Sequence, residues 1–129
     1  MPSGLRVALA AALLTLAGTA AAAPVPSQMV DRPAARVQSL DKVTARTSTF
    51  DIAVGDTKAF GNLRITVRAC KENPPIEAPE SAAFLEVVET KPDSNAESVF
   101  TGWMFASSPA LSAMEHPIYD IWVLSCVAK

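Results

Sequence analysis

From residue 50 onward, apolar side chains recur mainly at every second position. Phe50, Ile52 and Val54 alternate with Asp51 and Ala53, and Leu63, Ile65 and Val67 alternate with Arg64, Thr66 and Arg68. A period of two places one face of an extended chain on a core and the other in solvent, so both runs predict half-buried β-strands. Gly55 and Gly61 lie between them, where the chain must turn back, and the pair reads as a meander. Strand character resumes at 83–90 (Ala83-Phe-Leu-Glu-Val-Val-Glu-Thr90), at 98–106 and at 118–127. Two polar segments interrupt these runs. Residues 71–80 contain Pro74, Pro75 and Pro79, and residues 91–97 read Lys91-Pro-Asp-Ser-Asn-Ala-Glu97, so both are exposed loops.

One short helix is expected near 108–116. Ser108 is placed to cap it, Pro109 to begin it and Pro117 to stop it. Helical periodicity is weak elsewhere and no internal repeat is visible. The expected fold is therefore all-β: a small antiparallel β-sandwich or partly open barrel of about six or seven strands, with that one helix.

The start of the chain follows a different pattern. Arg6 is followed by about ten strongly apolar residues, Val7 to Leu16, and then by small residues through Ala23. A basic n-region, a short apolar core and a small-residue zone make a secretory signal peptide over 1–22, with cleavage after Ala22. The apolar core is well short of the roughly 20 residues needed to span a bilayer, and no later run approaches that length, so no membrane span is expected in the mature chain. Residues 23–39 carry Pro24, Pro26 and Pro33 without a regular apolar period and read as a flexible lead-in, which leaves 40–129 as a single β-domain.

Export gives meaning to the two cysteines, Cys70 and Cys126, each at the end of a strand-like run. In an oxidising compartment they form a disulfide, and only one pairing is possible. Closing so long a loop is worth roughly 4 kcal/mol by chain entropy. The alternative, a redox-active pair, lacks a Cys-X-X-Cys spacing and a nearby helix start that would lower a thiol pKa.

With 11 Lys and Arg against 13 Asp and Glu, the net charge is -2. The chain lacks the basic face that nucleic acid requires. Five glycines, none in a phosphate-loop spacing, give no support to nucleotide binding, and no cofactor is expected. His116 is the only histidine. Beside Glu115 and near Asp120 it is formally available as a general base or a metal ligand, but a zinc site draws several His or Cys ligands, and Glu115-His116-Pro117 reads as the polar end of the helix. Ser107, Ser108 and Ser112 lack a nucleophile elbow. Arg64 and Arg68 could bind an anion, and ion pairs with Glu86 and Glu89 explain them more simply.

The least generic stretch is 102–114, which concentrates Trp103, Met104, Phe105, Leu111 and Met114. These residue types fill cores and also populate the centres of interfaces. Alternation puts Trp103 and Phe105 on one face of a strand and Met104 on the other, so a cover is needed, which the helix from Pro109 can supply. Core packing is the leading account. The competing one makes Trp103, Met104, Phe105, Leu111, Met114, His116 and Tyr119 a partner or ligand surface.

Three segments carry a resemblance: Leu40-Asp-Lys-Val-Thr-Ala45, Gly61-Asn-Leu-Arg-Ile-Thr-Val-Arg-Ala-Cys70 and, above all, the run from Gly102 to Cys126. Over roughly 90 residues the chain resembles the bacterial family catalogued as domain of unknown function 2155, found in exported proteins of alphaproteobacteria. The resemblance implies a protein of the Gram-negative envelope, located in the periplasm, and brings no activity or catalytic residue with it. The expected role is a non-enzymatic accessory module that binds an envelope protein. The alternatives are a binder of a small apolar or lipid-like ligand, and an enzyme using His116 with Glu115 or Asp120.

Overall fold

The computed structural model describes residues 28–128. The expected signal peptide at 1–22 and the start of the lead-in lie outside them. Eight strands follow in chain order: β1 (Val30–Asp31), β2 (Ala34–Asp41), β3 (Arg46–Ala53), β4 (Thr57–Phe60), β5 (Leu63–Glu72), β6 (Ser81–Glu89), β7 (Glu97–Phe105) and β8 (Tyr119–Val127). All pairings are antiparallel. One sheet runs β1-β5-β6-β7 with β4 also on β5, and the other runs β3-β2-β8. The chain is an open, two-sheet β-sandwich, all-β as the period-two pattern predicts.

Inward positions follow the pleat. Leu63, Ile65, Val67 and Cys70 of β5, Ala83, Leu85 and Val87 of β6, and Ile121, Val123 and Cys126 of β8 meet Ala35, Val37 and Ile52 in one core. Bulges in β5, β7 and β8 shift the register by one residue each and keep these faces aligned. The Cys70–Cys126 disulfide, S–S 2.02 Å, joins β5 of one sheet to β8 of the other.

Three expectations are corrected. Residues 34–39, read as lead-in, are part of the central strand of the smaller sheet, so the folded domain begins ahead of Leu40. The inward face there is built from Ala35, Val37 and Ser39, residues too small and mixed to register as an apolar alternation, although all three are buried. The expected meander of 50–54 with 63–70 does not form. β3 pairs with β2, and β4, which was read as turn, is the strand that pairs with β5. Gly55, at φ +93°, and Asp56 carry the chain from one sheet to the other. Finally, the helix is a single 3-10 turn, Pro109–Ser112, and the Ser108 side chain makes no capping bond. A second proline at 117 and the tight return into β8 leave no room for α-helical propagation.

Gly61 closes the β4–β5 turn at φ +56°, and a Cβ there would collide with the Tyr119 hydroxyl. Only glycine satisfies both conditions. The Asn62 N–H donates to that hydroxyl at 3.4 Å, and the Tyr119 ring stands edge-on to Phe60 at 5.7 Å.

Candidate functional site

The candidate site is the open side of the sandwich, between the outermost strands of the two sheets. Among the described residues β7 pairs only with β6 and β8 only with β2. β7 ends beside Ala82, at one end of β6, while β8 begins beside Asp41, near the other end. Residues 106–118 therefore climb the open side from end to end as a strap. Its Met114 side chain enters the core at 4% exposure.

Carboxylates fix both ends of this strap. At the lower end, Glu80 accepts from the Ser81 N–H at 3.0 Å and the Ser107 N–H at 3.1 Å through Oε1, and from the Ser107 hydroxyl through Oε2. At the upper end, His116 Nε2 bonds Glu89 Oε2, both side chains being buried. His116 Nδ1 accepts the N–H groups of Ile118 at 3.0 Å and Tyr119 at 3.2 Å. That pattern assigns the proton to Nε2, which donates to the carboxylate. Lys91 Nζ lies 3.2 Å from Glu89 Oε1. Lys42 Nζ reaches both the His116 carbonyl at 2.9 Å and Asp120 at 3.0 Å. Burial raises the Glu89 carboxyl, but hydrogen bonds from His116 and Lys91 and the charge of Lys91 outweigh it and hold the group below the usual carboxylate range.

Between the strap and β8 runs a groove of about 320 Å³, lined by Pro109, Ala110, Ala113, Met114, Asp120, Ile121 and Trp122. It is apolar along the strap, with a single carboxylate, Asp120, on the strand side.

The sequence-predicted surface divides sharply. Met104, Met114, His116 and Tyr119 are buried, with Met114 also lining the groove. Trp103 and Phe105 are half-buried on the outer face of their strand, Trp103 standing edge-on to Phe84 at 5.5 Å. Leu111 alone is exposed, at 64%. Core packing accounts for most of the cluster, and the strap provides the cover that the alternation demanded.

Nor does His116 converge with Glu115 or Asp120. Glu115 is exposed, Asp120 is held by Lys42, and the partner is Glu89. Both ring nitrogens are engaged and the ring is buried, Nε2 with Glu89 and Nδ1 with two backbone N–H groups. Among the described residues no group of three or more His, Cys, Asp or Glu side chains could hold a metal ion. Arg68 pairs with Glu86 at 3.0 Å as expected, whereas Glu89 faces inward, away from Arg64 and Arg68.

Glu80, Glu89 and Trp122 were missed as site residues. Glu89 left a signal: it stands in phase with Leu85 and Val87, so a carboxylate sits on the buried face and requires a buried partner. Trp122 is out of phase with Ile121 and Val123, which places it on the outer face, at the groove.

No helix among the described residues is long and apolar enough to cross a membrane. No solved structure matches the chain. An uncharacterized protein of Rickettsia prowazekii (strain Madrid E) is 33% identical over 91 residues, which cover 70% of this chain and 59% of the relative's length. The family described as an uncharacterized protein conserved in bacteria, domain of unknown function 2155, matches residues 35–126, which include every strand from β3 to β7, all but the first residue of β2 and all but the last of β8. The chain belongs to that family.

Proposed function

We propose that this chain is a periplasmic accessory module, exported by its signal peptide, that acts by binding another envelope protein and performs no chemistry of its own. The observation that carries the reading is the groove beside the outer edge of β8. Main-chain groups on that edge have no strand partner among the described residues, and apolar side chains line the adjoining channel. An extended segment of a partner can add to β8 as a further strand, its backbone bonding to the edge and alternate side chains entering the groove. Leu111, exposed on the strap above, adds apolar contact. The commitment of both His116 nitrogens supports a binding role over acid–base catalysis.

A second reading uses the same groove for a small apolar or lipid-like ligand. Its volume of about 320 Å³ reaches the lower end of ligand-pocket sizes. The test is a photo-crosslinking residue placed at Ala113 in cells, compared with the same residue at exposed Arg46. Envelope proteins captured from position 113 alone, and lost when Ala110→Arg fills the groove of a folded variant, support the protein reading. Lipid captured without protein supports the second. Equal labelling from both positions overturns the groove as a contact site.

A further inference from the structure

We propose that the His116 ring, held to Glu89 through Nε2, is an acid-sensitive clasp on the turn at 116–119, which it grips through Nδ1 beside the groove along β8. The inference concerns regulation of the binding site and rests on that reading for its biological meaning; its physical test does not.

Geometry sets the direction of the response. In the closed arrangement Nε2–H donates to Glu89, and the remaining lone pair, on Nδ1, accepts two backbone N–H groups. A second proton can land only on Nδ1. It then points a donor at two donors, and the bonds to Ile118 and Tyr119 are both lost. Charges around the ring oppose one another. Glu89 favours the imidazolium, whereas Lys91 on Glu89 and Lys42 at the His116 carbonyl disfavour it. Asp120 faces Lys42, while Glu97, opposite Glu89 in register, and Glu115 on the strap are exposed. The Tyr119 ring packs against the imidazole at 5.3 Å.

The response is local because the lower clasp contains no imidazole. Glu80 holds Ser107 through its amide and its hydroxyl. Acid therefore frees the turn at 116–119 while the strap stays anchored below. Ala113 and Met114, just before His116, form one wall of the groove, so the turn that acid frees adjoins it.

Amide hydrogen exchange on the purified chain tests this directly. Corrected for intrinsic exchange rates, protection of the Ile118 and Tyr119 amides is expected to fall about tenfold or more from pH 7.5 to pH 5.5, with the Ser107 amide unchanged. His116→Asn keeps an acceptor near the Nδ1 position and removes the titration, so its protection is expected to be flat over the same range. Should that variant not fold, Glu89→Gln removes the charge that attracts the second proton and moves the loss of protection to lower pH. Flat protection in the unaltered chain overturns the proposal. So does a pH response that survives His116→Asn or is unmoved by Glu89→Gln. Failed crosslinking from the groove would end the binding reading and leave this exchange pattern untouched.

Discussion

Glu80 and Glu89 bracket a single strand, β6, and each grips one end of the strap, at Ser107 and His116. Nine residues separate the two carboxylates, and nine separate the two groups they hold, so strand and strap are matched in residue spacing. The strap is thereby part of the core architecture, with Met114 between the two clasps as its apolar anchor.

That arrangement separates two neighbouring side chains of similar hydrophobicity. Met114→Ala removes a core side chain at 4% exposure and is expected to cost about 2–5 kcal/mol in chemical denaturation. Leu111→Ala, at 64% exposure, is expected to change stability by less than about 0.5 kcal/mol.

Loss of the bond between Cys70 and Cys126 is expected to cost roughly 4 kcal/mol, from the entropy regained by the unfolded chain. Denaturation midpoints of a Cys70→Ser, Cys126→Ser double variant against the oxidised chain measure it. Reductant should lower the midpoint of the oxidised chain and leave that of the variant unmoved.

Gly61→Ala combines an unfavourable φ with a collision at the Tyr119 hydroxyl, and a loss of more than about 2 kcal/mol is expected. At Gly55 φ is also positive but the space is open, so Gly55→Ala is expected to cost only about 1 kcal/mol. The difference in melting temperature between the two variants reports the collision together with the difference in backbone strain between φ +56° and φ +93°.

Glu89 supplies an acid-side dependence of stability. Its folded-state value lies below the ordinary carboxylate range, so its ionised form stabilises the native state. The contribution is fully present above the unfolded value of about 4.3 and is lost as pH falls through the lower folded value. Denaturation midpoints measured from about pH 5 downward should fall less steeply in Glu89→Gln than in the unaltered chain.

The sandwich was legible where large apolar residues alternate, as in β5, β6 and β8, and the disulfide followed from export and a count of two cysteines. β2 was hidden because a central strand facing a close-packed core can be built from Ala35, Val37 and Ser39, whose pattern is faint. The swap of β3 and β4 between sheets depends on the corner at Gly55, and a local alternation carries no information about which sheet a strand joins. At the site, Trp103 and Met104 were divided correctly between faces by alternation. His116 reads from sequence as the polar end of a helix because its partner lies 27 residues away on another strand. The clue was on that strand, where Glu89 continues the buried phase of Leu85 and Val87.

The pairing of β2 with β8 sets the order in which the domain can be completed. When the chain emerges from its amino end, β2 finds β3 at once, but its second neighbour is supplied only when Tyr119–Val127 has followed. The smaller sheet thus stays two-stranded, and marginal in water, until β8 is out.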